Sequence, residues 1–259
     1  MSDAQVSERL RQGVAVVTGA NRGLGEALAL ELAGLGVTVA AIGRDEAGLR
    51  AVAAKATSGR VHPVVLDLKD AAAVPEAFAG IARDLGPVTL LINNAAIYPR
   101  RDFLEEGTAD FMATVAINLG GVAACTHAAL MGMVETGFGR ILNVSTFADI
   151  QPVPASAGYA VSKGAGRILT RALVADIGDR FPGIVISEWM PGILATRMGV
   201  PGGLPAREAA IWGARLALWH DRSLNGRSFV LDRELLETRS LKRRLLDKLA
   251  RRSPVPRRL

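Results

Sequence analysis

Hydrophobic positions along the chain follow two alternating patterns. Short apolar, β-branched runs lie at 13–18, 37–42, 61–66, 87–92, 138–145 and 183–189, with a last one near 227–231. Between them, Gly23–Leu35, Asp45–Ala56, Ala71–Leu85, Asp110–Thr136 and Ser156–Phe181 have helical character. Runs such as Val14–Val17 and Val64–Leu66 are apolar without a polar alternate. That pattern predicts strands buried on both faces, hence parallel strands joined by crossover helices. Right-handed crossovers stack helices on both sides, giving a single doubly wound α/β domain around a parallel sheet of about seven strands. No repeat or low-complexity linker divides the chain, and the Pro/Gly-rich stretch Met198–Pro205 is expected to be a long mobile loop. The organisation expected is an N-terminal extension over 1–12, one domain over 13–238 and a tail over 239–259.

Composition narrows this picture. With 49% hydrophobic and 22% charged residues over 259 positions, the chain is neither disordered nor collagen-like. Its one cysteine, Cys125, excludes an intrachain disulfide, fits a reducing compartment and reads as a small core residue. Met1–Gln12 carries Asp3, Glu8, Arg9 and Arg11 without an apolar centre, so it is not expected to be a signal peptide. No uninterrupted apolar stretch reaches the roughly 18–20 residues of a membrane span, so a cytoplasmic location is expected.

The net charge of +6 points to nucleic acid until it is located. Arg239–Leu259 holds nine Lys/Arg against one Asp, and the remainder of the chain, with 22 basic and 24 acidic side chains, is slightly acidic. Within that tail Leu241, Leu245 and Leu249 recur at helical spacing among Lys242, Arg243, Arg244 and Lys248. A short basic amphipathic helix follows, for subunit docking or as a solvated face, with an anionic membrane surface as the alternative; nucleic acid is not an expected partner. His62, His127 and His220 are scattered without ligand spacing, so no metal site is expected.

The first apolar run ends in Thr18-Gly19-Ala20-Asn21-Arg22-Gly23-Leu24-Gly25 and passes straight into a helix. Glycines there permit a tight turn and let backbone approach a pyrophosphate, which the free N–H groups at the helix start attract. The spacing is G-x-x-x-G-x-G, not the commoner G-x-G-x-x-G. Further along, Tyr159 and Lys163 are four apart on one helical face. A free phenol titrates near 10, and a neighbouring ammonium lowers that value toward useful acid–base chemistry.

These segments together resemble the short-chain dehydrogenase/reductase family, in the branch of about this chain's length. Thr18–Gly25 is similar to the family's T-G-x-x-x-G-x-G turn, and Asp67 with Leu68 follows strand three, where the family contacts adenine. Asn93-Asn94-Ala95-Ala96 resembles N-N-A-G, with Ala96 in place of the last glycine. Asn118 lies within A-I-N-L, Tyr159 and Lys163 form Y-x-x-x-K, and Pro191-Gly192 with Thr196 resembles the P-G-x-x-x-T segment over a nicotinamide. The resemblance spans about residues 13–200 and implies a Rossmann-type fold binding a nicotinamide dinucleotide.

What the resemblance implies for the cofactor turns on the end of strand two. Gly43 occupies the family's usual acidic position, Arg44 follows it, and Arg22 in the glycine turn points at the same place. Two guanidinium groups suit a 2′-phosphate, so NADP(H) is expected over NAD(H); Asp45, one place on, keeps NAD(H) open.

By the same analogy Tyr159 is the acid/base, and Lys163 tunes it and holds the nicotinamide ribose. The family serine position, thirteen residues before the tyrosine, is Thr146, with Ser145 the reserve as the residue that orients the substrate. Asn118 completes a proton relay, against the alternative of a helix-bending polar core residue. Ser187 stands where many members carry Asn, and Arg233-Glu234 replace a Gly-Gly at a usual subunit contact; a homodimer or homotetramer is nonetheless implied. The pocket is expected to be lined by Ile97, Phe147, Val153, Met190, Ile193, Leu194 and Met198, suiting an apolar carbonyl or alcohol, with Arg100, Arg101 and Arg197 within reach of an anionic substituent. The stretch 193–205 is expected to act as a lid. Competing readings are a catalytically weak, cofactor-binding scaffold or sensor and, less compatible with the length and glycine spacing, a sugar-nucleotide epimerase.

Overall fold

The computed structural model of the chain describes residues 3–57, 59–236 and 255–259. The basic helix expected at 240–249, and with it most of the tail, lies outside the described residues. One sheet of eight strands runs in the order β3-β2-β1-β4-β5-β6-β7-β8. Strands β1 (Val14–Thr18), β2 (Thr38–Gly43), β3 (Val61–Val65), β4 (Val88–Asn93), β5 (Gly139–Val144), β6 (Ile184–Met190) and β7 (Ser228–Val230) pair in parallel. The seven expected strands are therefore joined by an eighth, β8 (Arg233–Leu235), which turns back antiparallel on β7. Strand order reverses between β1 and β4, which opens a crevice at their carboxyl ends.

Alternate side chains of each central strand feed two apolar layers. Ala15 and Val17 of β1 join one layer with Leu28 and Leu32 of α2 (Gly23–Gly34), Leu49 of α3 (Glu46–Lys55) and Ala210 and Ala214 of α8 (Ala206–Leu218). Val14 and Val16 join the other with Phe78 and Ile81 of α4 (Val74–Leu85), Cys125 and Met133 of α6 (Gly121–Thr136) and Ile177 of α7 (Ala157–Ile177). Each fully buried Val, Leu or Ile adds about 1.5–3 kcal/mol to this sandwich. The outermost β3 accommodates Pro63 because an edge strand has no partner there for a missing N–H.

Several elements depart from the sequence expectation. A short helix, α1 (Asp3–Gln12), occupies the N-terminal extension and buries Leu10. Helix α8 falls where no helix was expected. The stretch 110–136, expected as one helix, is α5 (Thr108–Val115), a π-helical turn over Ala116–Gly120, and α6. The turn widens, with Gly121 N–H reaching the Ala116 carbonyl, where Asn118 is drawn inward onto the backbone of Ile97. Contrary to expectation, Thr108–Thr136 is long and apolar enough to cross a bilayer by length and composition. Half of its most apolar window is buried in the protein, however, and Thr114, Asn118 and Thr126 are buried with it.

The segment 193–205, expected to be a mobile lid, is knitted to itself. Ala195 N–H donates to the Leu204 carbonyl at 2.9 Å, and Leu204 N–H to Ile193 at 2.8 Å. Arg140 on β5 is fully buried and faces α8. It donates to the Leu216 and Trp219 carbonyls at that helix's carboxyl end, to Ile141 and Val185, and to the Ser187 hydroxyl at 2.6 Å. A cation suits that helix terminus, although loss of water pulls Arg140 down to about 9. This pairing gives Ser187 its place. Buried Glu234, in the replaced Gly-Gly pair, meets Arg257 at 3.0 Å, while the Glu234 N–H donates to the Arg257 carbonyl.

Helix α8 lies closely on α2 because it carries Gly213. A β-carbon there would stand 2.6 Å from the Trp189 ring and 2.7 Å from Leu28. Gly213→Val is expected to lower unfolding stability by about 1–3 kcal/mol, read as a lower denaturant midpoint. An unchanged midpoint would mean that the two helices are not held at this point.

Candidate active site

The turn after β1 lies in the crevice where the strand order reverses. Gly19 takes a left-handed φ of +66°, and a β-carbon on it would stand 2.9 Å from Ala95. At Gly25 a β-carbon would meet Asn94 Nδ2 at 2.6 Å, so the start of α2 can approach the end of β4 only as glycine. Asn94 bonds the turn in place: its Nδ2 donates to the Thr18 carbonyl at 2.9 Å, and its N–H and that of Ala95 donate to Thr18 Oγ1, both at 3.0 Å. Arg22 is the N-cap of α2 but makes no side-chain capping bond, which leaves the first amides of that helix to an anion. Thr196, from the segment after β6, packs over Gly23.

At the end of β2, Gly43 stands in place of the family's acidic residue and packs tightly on Asn21. A β-carbon on Gly43 would stand 3.0 Å from Asn21 Oδ1. Asp45 caps α3 by accepting from Gly48 N–H at 3.1 Å. Arg22 and Arg44 are both exposed. Asp67 receives the Lys69 N–H at 3.0 Å, and Leu68 is buried beneath α6 at Gly121.

The predicted catalytic residues converge at the carboxyl ends of β4 and β5. Tyr159 and Lys163 lie on one face of α7, and Thr146, whose Oγ1 accepts from Ala148 N–H at 3.3 Å, is among the groups that act on the Tyr159 phenol. Ser145 points elsewhere: its Oγ is buried with no hydrogen-bond partner. Lys163 is buried, its Nζ donating to the Val144 carbonyl at 2.8 Å, and burial brings its ammonium down to about 8. Asn118 is buried and fully bonded: Ile97 N–H donates to its Oδ1 at 2.8 Å, and its Nδ2 donates to Ile97 O at 2.9 Å and Ser162 Oγ at 3.0 Å.

Electrostatics differ from the expectation in one respect. Burial pushes the Tyr159 phenol above its ordinary value; Thr146 pulls it back, and nearby Tyr98 and Asp149 add to the rise. Tyr98 was missed by the sequence reading although it follows the Asn-Asn-Ala-Ala segment by two residues. Its ring stacks on Tyr159 at 4.4 Å and 22° between planes. Arg100 lies over the Tyr98 ring, 5.4 Å from its centroid.

Behind these groups a polar row crosses the sheet. Asn93, Asn143, Glu188 and Ser228 are neighbours in register on β4, β5, β6 and β7. Asn93 Nδ2 donates to Thr126 Oγ1 at 3.0 Å and to Asn143 Oδ1 at 2.8 Å, and Asn143 Nδ2 donates to Thr170 Oγ1 at 2.9 Å. Of the expected pocket residues, Phe147, Val153, Ile193 and Met198 are exposed at the ends of β5 and β6, joined there by Ile150 and Val200. Met190 and Leu194 are instead buried in the core, since they lie on the strand and the knitted segment that anchor the exposed loops. Arg101 is tied to Asp110 at 2.6 Å, while Arg197 is exposed. Among the described residues no cluster of His, Cys, Asp and Glu has the makings of a metal site. Cys125 is a buried thiol, pushed up to about 12.

Comparison with known proteins agrees with this geometry. The family model for short chain dehydrogenases matches residues 13–202. The short-chain reductase protein NovJ of Streptomyces niveus is 35% identical over 190 residues, covering 73% of this chain and 71% of its own. Gluconate 5-dehydrogenase of Gluconobacter oxydans is 34% identical, covering 71% of this chain and 72% of its own. Meso-2,3-butanediol dehydrogenase of Serratia marcescens is 30% identical over 210 residues, covering 81% of this chain and 82% of its own.

The chain has two tyrosines, so in Tyr98→Phe protein the phenol that titrates is Tyr159. Its phenolate absorbance in the unliganded protein is expected to have a midpoint above 10.0. A midpoint below that value would show that burial does not govern this group.

Proposed function

This chain belongs to the short-chain dehydrogenase family and is an oxidoreductase acting on CH–OH and C=O groups, and from that premise we propose that it is an NADP(H)-dependent enzyme interconverting an apolar carbonyl compound and its secondary alcohol. The observation that carries the activity is the Thr146–Tyr159–Lys163 cluster at the carboxyl edge of the sheet, next to the uncapped start of α2. The cofactor preference rests on the end of β2. Gly43 leaves no carboxylate to accept a ribose 2′-OH, Asp45 is committed to its helix, and Arg22 and Arg44 are exposed. The substrate class rests on the exposed apolar loops after β5 and β6. Short-chain dehydrogenases act on small molecules and commonly oligomerise; for this chain a homodimer or homotetramer is our proposal.

The residues that fit the dinucleotide are Gly19, Asn21, Arg22, Gly23, Leu24 and Gly25 for the pyrophosphate, Arg44 for the 2′-phosphate, Asp67 and Leu68 for adenine, and Asn94, Ala95, Ala96, Pro191, Gly192 and Thr196 around the nicotinamide. When bound, the nicotinamide supplies the hydride for reduction or accepts it in oxidation. Tyr159 gives its hydroxyl proton to the substrate oxygen in reduction and takes it back in oxidation. Thr146 directs the same oxygen with its own hydroxyl. Lys163 stabilises the phenolate by its charge and holds the ribose. Asn118 keeps the β4 loop in register through Ile97 and links by Ser162 to the backbone carbonyl of Tyr159, which steadies the turn of α7 that carries the phenol.

Tyr159→Phe is expected to lower turnover about 10²–10⁴-fold while dinucleotide affinity stays within a few-fold. Retained turnover would overturn the acid/base role. Arg44→Glu is expected to reduce kcat/KM for NADPH about tenfold or more and to spare NADH. If native protein prefers NADH, the cofactor assignment is wrong.

A further inference from the structure

The polar row beneath the site contains one charge that the reaction scheme leaves unused. Glu188 lies within the apolar strand β6 and is 2% exposed. Ser228 Oγ donates to its Oε2 at 3.1 Å, and Arg167 Nε lies 3.9 Å from that oxygen. Arg167 is already committed elsewhere: it meets Asp149 at two points, 2.6 and 3.0 Å. Lys163 and Arg167, both on α7, thus share this layer with two carboxylates, Asp149 and Glu188, and Arg167 meets Asp149 more closely than Glu188.

Glu188 and Lys163 line one cavity of about 20 Å³, room for a single water. Asn93, Asn118 and Ser145 share that lining. An ammonium has three donors, and the Val144 carbonyl takes one of them. A buried cation without a counter-charge sheds its proton rather than stay charged.

We propose that Glu188 is a positioning residue for Lys163, its buried carboxylate serving as the counter-charge that keeps the lysine an ammonium across the shared cavity. The importance of that charge for turnover rests on the oxidoreductase reading; the pairing itself does not. The charged groups packed around Glu188 are Lys163 and Arg167 from α7, which favour its carboxylate, and Asp149 from the loop after β5, which opposes it, with Arg171 and Arg227 lining the groove beyond Ser228. Burial pushes the Glu188 carboxyl up, while Arg167, Thr170 and Ser228 draw it down. For Lys163 the signs are opposite: burial lowers it and Glu188 raises it.

The chain contains few lysines, so a full-length sample carrying ¹³C-lysine resolves Lys163 in a pH titration, assigned by its loss in Lys163→Met. The native midpoint is expected at about 8. Glu188→Gln is expected to lower it by about one unit or more, and Glu188→Asp to recover part of that loss. A change below about 0.2 unit in Glu188→Gln, or a rise, overturns the proposal. Should that variant fail to fold, the native protein still decides, because a Lys163 midpoint below about 7 would show that no anion supports it. The titration needs no turnover and runs equally in Tyr159→Phe protein, so its outcome is independent of whether the enzyme assignment holds.

Discussion

A sheet covered by helices on both faces has no water to satisfy a polar side chain, and the active edge of this protein is built under that constraint. Asn93, Asn143, Glu188 and Ser228 form a register-matched row through the buried layer, and most of their donors and acceptors are matched by Thr126, Thr170 and one another. An unpaired polar atom there costs about 1–3 kcal/mol, so such a row holds its members in fixed orientations. Among the described residues, the buried side-chain atoms without partners, Asn93 Oδ1 and Ser145 Oγ, belong to residues lining the cavity beside Lys163.

The same constraint explains the division of labour at successive positions. At the end of β5, Ser145 faces the buried layer and Thr146 faces the phenol. On β6, Ser187 turns to Arg140 under α8 and Glu188 turns to α7. On β4, Asn93 enters the polar row while Asn94 reaches sideways to fasten the glycine turn. Strand alternation is what lets adjacent residues serve different layers without competing.

Much of this was readable from the chain. Continuous apolar runs gave the parallel sheet, and the ordered motifs placed the turn, Asn118, Thr146, Tyr159 and Lys163 at one edge. What escaped depended on partners distant in sequence. Helix α8 is rich in alanine and packs so closely on α2 that its apolar stripe blurs. The π-helical turn interrupts an unbroken helical pattern because Asn118 finds Ile97, which no local spacing records. Strand β8 is three residues long and two of them are charged, and its pairing is supported by residues 257 to 259. Glu188 was visible as an acid inside an apolar strand, but its partners came from α7 and β7. Tyr98 stacks on Tyr159 from a loop for which periodicity has nothing to say.

The margins of the sheet have a consequence of their own. An outer strand with free amides is a template on which foreign strands can grow, and proteins suppress this by capping or breaking the margin. At one side Pro63 interrupts the row of donors in β3. At the other, Leu259 N–H donates to the Asp232 carbonyl and Glu234 N–H to Arg257, so the chain's last residues occupy part of the β8 margin themselves. Cross-strand recruitment into fibrils is blunted at both flanks, by a ring closure in one case and by self-pairing in the other.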